Sequence, residues 1–143
     1  MSGTFIIDCF AENRKRFPEE YAIVAIDVIR ATTTATTALY LGRLMYPAGN
    51  ADEAIVLSKT LKDPLLAGEM GGHVPYGFDL TNSPVQVMAL SNIPSGYFTN
   101  IRRPLILVSS SGMPLVMNSI HNTATYLACL RNYRSVAAHI AGW

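Results

Sequence analysis

Charged residues are scarce in this sequence, and neither sign dominates. Asp, Glu, Lys and Arg make up 15% of 143 residues, and eleven basic against ten acidic residues leave a formal charge of +1. Binding to a phosphate backbone normally draws on a surplus of positive charge, so the sequence predicts no nucleic-acid partner. The hydrophobic content of 50% excludes a disordered chain, because disordered chains are poor in apolar residues.

Cysteines are also few, and long apolar runs are missing. Cys9 and Cys129 are too few for a disulfide framework and match no metal-binding spacing. Both lie among apolar neighbours, which predicts buried free thiols and a reducing compartment. No apolar stretch reaches the roughly 18 residues of a membrane span, and the charged run at 12–16 does not fit a signal peptide. We therefore expect a cytoplasmic protein without a membrane partner.

The pattern of apolar runs predicts a single domain over residues 1–143, because a length near roughly 150 residues fits one domain. Short β-branched runs alternate with helical segments, which favours an α/β fold, a three-layer sandwich with a mainly parallel sheet. A long loop is expected at 68–82, and a turn-rich stretch at 94–96. The predicted strands cover 4–8, 21–29, 44–47, 65–67, 104–108 and 125–129, and the predicted helices begin near residues 32, 51, 83, 113 and 132.

Polar residues follow the second predicted strand at the start of a helix. In open parallel sheets, ligands bind beyond the carboxyl ends of the strands, where helix N-termini present unpaired amides. Asp27 offers a hard oxygen ligand for a metal, Arg30 a donor for phosphate, and the threonines at 32–34 further hydroxyls. The alternative is a set of helix-capping threonines with Arg30 paired to Asp27, and both readings stay open at this point.

Two further segments could carry chemistry. The glycine-rich stretch at 68–82 contains Glu69 and Asp79, carboxylates that can bind a divalent cation or act as acid and base. The alternative is a plain connecting loop. The run Ser109-Ser110-Ser111-Gly112 is a hydroxyl-rich turn between a strand and a helix, suited to phosphate or simply a serine turn.

Several separated motifs, taken together, resemble one known family. They are IDVIRATTT at 26–34, GE followed by GG at 68–72, and GFDLTNSP at 77–84, and the likeness continues through PLILVSSSG and LACLRN. In this combination and order they resemble the 2-phosphosulfolactate phosphatase family, over nearly the whole chain. Members of that family are Mg-dependent phosphatases known from coenzyme M biosynthesis, which hydrolyse a phosphate ester on a small sulfonated hydroxy acid.

The resemblance implies a role for each matching residue. It places the metal, Mg²⁺, at three carboxylates and the substrate, a small anionic phosphate ester, beside them, with Arg30 also among the catalytic residues. The implied metal ligands and catalytic carboxylates are Asp27, Glu69 and Asp79, and the implied phosphate- and substrate-binding residues are Thr32, Thr33, Thr34, Asn82, Ser83, Ser110 and Gly112.

The sequence also departs from the family pattern. Met70 stands where the family usually has Arg, and the serine turn stands where the family usually has a Thr-Thr-Asn-Gly-Thr run. Family members continue past the point that matches Trp143, so we expect this chain to lack the C-terminal part of the family fold. The alternative function is therefore a non-catalytic remnant of the same fold that serves as a subunit or interaction module, and a homo-oligomer or a hetero-complex is open in either case.

Overall fold

The computed structural model describes residues 4–91 and 101–142, and within them strands and helices alternate along most of the chain. A short 3-10 helix, Ala11–Arg16, precedes the first strand. The strands are β1 (Ala22–Ile26), β2 (Met45–Ala48), β3 (Leu65–Gly68), β4 (Leu80–Thr81), β5 (Leu105–Val108) and β6 (Ala124–Ala128), and the helices are α1 (Ala31–Tyr40), α2 (Ala51–Ser58), α3 (Pro84–Ser91), α4 (Gly112–Met117) and α5 (Tyr133–Ala141).

Four of the strands form one parallel sheet, in the order β2-β5-β3-β4. All four residues of β5 are buried, because this strand has a neighbour on both edges and helices on both faces. Leu105 and Leu107 pack in one apolar cluster with residues of α1, α3 and α4. Ile106 and Val108 point to the opposite face and pack with residues of α2. The result is a three-layer α/β sandwich with parallel strands, which confirms the predicted fold class.

The two remaining strands, β1 and β6, pair with each other in parallel, with Ala22 opposite Ala124 and Ile26 opposite Ala128. This second sheet contacts α1 and α4. Ala25 belongs to the same apolar cluster as Leu105, and Leu127 packs against that cluster. The β1–β6 sheet therefore shares the main apolar core.

Local capping signals fix the starts of two helices as the sequence predicts. The Asn50 side chain accepts a hydrogen bond from the Glu53 amide at 2.9 Å, and Glu53 accepts one from the Gly49 amide at 2.8 Å. Ser83 accepts a hydrogen bond from the Gln86 amide at 3.2 Å, directly before Pro84. These side chains satisfy amides that have no partner inside the helix.

Several element predictions were wrong. Residues 4–8 form no strand: they pair with none of the described strands, and Phe5 and Ile7 are more than four-fifths exposed. Cys9 is likewise exposed, whereas Cys129 is buried as predicted. The loop predicted at 68–82 contains the short strand β4, which has too few residues to show a periodicity. The turn-rich stretch at 94–96 lies outside the described residues.

Element ends also shift where tertiary contacts decide them. The strand predicted at 21–29 stops at Ile26, so that Asp27 lies in the turn that leads to α1. The helix predicted to reach His121 ends at Met117. In the part of the chain that is described, the helices are all too short or too polar to traverse a lipid bilayer.

Candidate active site

Three polar segments meet at the carboxyl ends of parallel strands. Asp27 directly follows β1, Glu69 directly follows β3, and the serine run 109–111 directly follows β5. Since β3 and β5 are neighbours in one sheet, Glu69 and the serine run end side by side, and the Glu69 amide donates to the Val108 carbonyl at 3.2 Å. This is the edge where parallel α/β proteins place their ligands.

Asp27 makes direct contact with the turn after β5. The Ser111 hydroxyl donates to Asp27 Oδ2 over 3.1 Å. A Cβ built on Gly112 would lie 2.6 Å from the same oxygen, and 2.9 Å from Ala31 Cβ. The close approach of the turn to the carboxylate therefore requires glycine at position 112. This contact places Gly112, predicted to bind substrate, beside Asp27.

Glu69 is held by the same turn and by its own loop. The Ser110 hydroxyl donates to Glu69 Oε1 at 2.9 Å and accepts a hydrogen bond from the Gly71 amide at 2.9 Å. The Gly72 amide donates to the same carboxylate oxygen. The hydrogen bond from Gly72, followed by that from Ser110, lowers the pKa of Glu69 below its usual value of 4.5. Glu69 is thus an anchored, ionised carboxylate at neutral pH.

Arg30 supplies positive charge near these carboxylates. The positive charge of its guanidinium attracts the Glu69 carboxylate and makes a smaller contribution to the low pKa of that group than the hydrogen bonds do. Arg30 is exposed, and it makes no ion pair with Asp27, so the paired alternative considered from the sequence is not what the structure has. The predicted use of Arg30 toward a phosphate group stays a prediction.

The threonine hydroxyls at the start of α1 donate to backbone carbonyls of the preceding turn. The Thr32 hydroxyl lies 2.8 Å from both the Asp27 and the Ala128 carbonyl oxygens, which share its single proton, and it accepts from the Asp27 amide at 3.0 Å. Thr33 donates to the Val28 carbonyl at 2.7 Å, and Thr34 to the Arg30 carbonyl at 3.1 Å. Their phosphate-binding role stays a prediction. None of these three hydroxyls accepts a hydrogen bond from an amide in the first turn of α1, so the helix-capping alternative left open from the sequence is not what the structure has.

The other predicted residues lie on or after β4. The Asp79 carboxylate accepts a hydrogen bond from the Leu66 amide at 2.9 Å, early in β3, whereas Glu69 follows the end of that strand. The structure therefore does not bring Asp79 into the Asp27–Glu69 cluster. Asn82 is 2% exposed, and its buried Oδ1 has no hydrogen-bond partner. Ser83 caps α3. The assigned functions of all three stay predictions.

The residues that fit Mg²⁺ best are those of the Asp27–Glu69 cluster. Mg²⁺ takes oxygen ligands and usually keeps several waters, with one or two carboxylates from the protein. Asp27, Glu69, Ser110 and Ser111 provide oxygens of this kind. Within residues 4–91 and 101–142, no group of three or more His, Cys, Asp and Glu side chains lies close enough to enclose a metal ion.

Sequence reasoning placed three contributors in candidate segments without giving them a role of their own. Ser111 connects the turn to Asp27, although only its neighbours Ser110 and Gly112 were singled out. Gly71 and Gly72 supply the amides that hold Ser110 and Glu69. The signal was present in both cases: three consecutive serines after a buried strand, and two adjacent glycines, which here adopt φ values of 58° and 85°.

The fold and this cluster define a class: a parallel α/β protein with an acidic, hydroxyl-lined site where its strands end. Comparison with protein families matches residues 9–143 to the family described as 2-phosphosulpholactate phosphatase. The chain belongs to the 2-phosphosulfolactate phosphatase family, as its motifs indicate.

Individual relatives agree with this assignment. The chain is 32% identical to a probable 2-phosphosulfolactate phosphatase of Carboxydothermus hydrogenoformans, over 92% of this chain and 51% of that protein. It is 37% identical to one of Deinococcus radiodurans over 81% and 46%, and 31% identical to the 2-phosphosulfolactate phosphatase of Methanothermobacter thermautotrophicus over 80% and 44%. The chain thus spans about half the length of the curated relatives it matches.

Proposed function

We propose that this chain contributes the site of a Mg²⁺-dependent phosphatase that hydrolyses a small anionic phosphate ester such as 2-phosphosulfolactate. One observation carries the proposal. Asp27 and Glu69, which follow different strands, accept hydrogen bonds from adjacent serines of a single turn, so the two carboxylates lie beside the same turn. The family supports the reaction, which breaks the ester bond at phosphorus and yields an alcohol and inorganic phosphate.

Asp27 and Glu69 would hold the metal, with the serine hydroxyls close by. Bound Mg²⁺ would offset the negative charge of the phosphoryl group. Phosphoryl transfer depends mainly on positioning and charge stabilisation, and little on covalent chemistry from the protein. The lowered pKa of Glu69 suits metal binding, because the carboxylate is already ionised and does not have to lose a proton before it binds Mg²⁺. Asp79, the predicted third ligand, would lie apart from this pair, because its carboxylate accepts from the Leu66 amide early in β3.

Arg30 is the cation that we assign to the phosphate group. It lies near enough to Glu69 to act on its charge, and its exposed guanidinium can offer two parallel donors to phosphate oxygens. The buried, unpartnered Oδ1 of Asn82 supports the assignment of that residue to the pocket, because a buried acceptor without a partner is costly unless a ligand or water uses it.

The non-catalytic module remains the second candidate, and Met70 favours it. Where the family carries a cation, this chain has a side chain that packs against the apolar cluster around Ile106 and Val108. Met70 therefore contributes no charge to a phosphate ligand. An obligate complex without turnover would be the expected behaviour of such a module.

A turnover screen separates the two candidates. Initial rates are measured over a panel of small phosphate esters, with and without Mg²⁺, for the chain and for Arg30→Gln. Loss of one charge-stabilising group costs roughly 100- to 1,000-fold in rate. The matched control is Arg134→Gln, since Arg134 is also exposed but donates to the Tyr133 hydroxyl on α5. Turnover that does not depend on Mg²⁺, or equal rates for Arg30→Gln and Arg134→Gln, would contradict the proposal.

A further inference from the structure

The sheet formed by β1 and β6 is unusually small for parallel strands. Each pairs with the other and with no further described strand. Parallel sheets normally contain more strands and have both faces covered, because two strands alone bury too little apolar surface. Ile26, at the end of β1, is 66% exposed, although its sequence context is that of a buried strand.

A groove runs along the edge of β6. Three consecutive residues of this strand, 125–127, line it together with residues of α1 on one side and, on the other, Val136 of α5 and Asn132 directly before that helix. Consecutive strand residues point to opposite faces of a sheet, so a groove that all three line follows the strand edge and not one face. Its volume is about 450 Å³. We call this groove the β6 slot.

The walls of the β6 slot are uncharged. Leu39 and Tyr40 of α1 are 49% and 76% exposed, and Val136 contributes from α5, a helix without a buried residue. The hydroxyl oxygen of Thr36, on the α1 wall, is buried and has no hydrogen-bond partner. An apolar or β-branched strand fits such walls, since a charged side chain placed there would lose hydration without gaining a partner.

The length of the relatives indicates what fills the β6 slot. Each relative compared above has about as much chain outside the match as inside it. We propose that the β6 slot receives a β-strand from the polypeptide that corresponds to this unmatched half, whether continuous with this chain or separate. The added strand would extend the β1–β6 sheet through main-chain hydrogen bonds, and α1 and α5 would cover its two faces.

Amide hydrogen exchange tests the proposal without requiring phosphatase activity. The probe is a chimera of this chain with the C-terminal segment of the Carboxydothermus relative, compared with the chain alone. Within residues 125–127, the amides that point away from β1 should exchange at least about tenfold more slowly in the chimera, because strand pairing shields edge amides from water. Equal exchange in both proteins would overturn the proposal. The proposal would also be overturned if the chain alone became more protected from exchange as its own concentration rises, since a second copy of the chain would then occupy the slot.

Paired substitutions check that the slot itself is responsible. In the chimera, Val136→Lys places a charge in the slot and should abolish the added protection, whereas Ala137→Lys, on the adjacent exposed position, should keep it. Leu39→Lys places the charge on the opposite wall and should reproduce the loss. Equal protection in the Val136→Lys and Ala137→Lys chimeras would overturn the proposal. If the chimera shows the slower exchange in β6 but no Mg²⁺-dependent turnover, that result would count against the proposed function and not against the added strand.

Discussion

Asp27 and Gly112 approach each other so closely that position 112 has no room for a side chain. A Cβ there would lie 2.6 Å from Asp27 Oδ2, well inside van der Waals contact. The contact joins the turn after β1 to the turn after β5, which belong to different sheets. At this contact the two sheets lie close enough to bring Asp27 to the serine run.

Gly112→Ala should destabilise the protein by about 1–3 kcal/mol, because the added methyl group forces the turn or the Asp27 side chain to move. Denaturant unfolding measures the change. The control is Gly142→Ala, where the nearest atoms to an added Cβ are carbonyl oxygens at 3.5 and 3.7 Å, so we expect little change. Equal free energies of unfolding for Gly112→Ala and the unmodified chain would contradict the prediction and show that the turn can shift to accommodate a methyl group at little cost.

Asp27→Asn should weaken Mg²⁺ binding far more than Asp8→Asn does. The substitution at position 27 removes a charged hard ligand, whereas the exposed Asp8 carboxylate accepts hydrogen bonds from the Phe10 amide and the Asn13 side chain, away from the cluster. Calorimetric titration with Mg²⁺ of both variants measures the difference. Equal affinities would remove Asp27 from the set of ligands.

The pKa of Glu69 should rise toward 4.5 in Ser110→Ala, because the substitution deletes one of the two hydrogen bonds that lower it. A lowered pKa stabilises the folded state above pH 4.5, and this contribution disappears as the pH falls through the folded pKa. Without the Ser110 hydrogen bond the folded-state pKa of Glu69 is higher, so this contribution to stability disappears at a higher pH. NMR titration of the Glu69 side-chain carboxyl group reports both changes.

Ser111→Ala is the matched control for this titration. Ser111 donates to Asp27 and makes no hydrogen bond to Glu69, so its removal should leave the pKa of Glu69 where it is. A similar rise in both variants would mean that the whole turn has moved, and that the Ser110 hydroxyl has no specific effect.

Phosphatase activity should rise when the C-terminal segment of a full-length relative is supplied. Misplacement or loss of one group in a catalytic set can cost about 100-fold, and this chain spans about half the length of its relatives. Initial rates at saturating Mg²⁺ compare this chain with the chimera. Equal and robust rates in the two proteins would show that the site functions within residues 1–143 alone.

The local order of the fold could be predicted from the residues along the chain. Buried β-branched runs such as the one that becomes β5, and cap residues such as Asn50, act through neighbours in sequence, so their effect is visible without a structure. The motifs around Asp27 and Glu69 likewise sufficed to indicate the family, which the comparisons confirm. Residues 4–8 show the limit, because an apolar run becomes a strand only where another strand pairs with it.

Which polar residues meet was decided only by the tertiary structure. Asp27, Glu69 and Asp79 were equal candidates in the sequence, yet the serine turn binds the first two while Asp79 holds the Leu66 amide. The threonines of α1 were open between phosphate binding and helix capping, and in the structure their hydroxyls donate to the backbone carbonyls of residues 27, 28 and 30. Sequence spacing does not determine distances between turns of different strands, because strand order and register set them, and those depend on how the whole core packs.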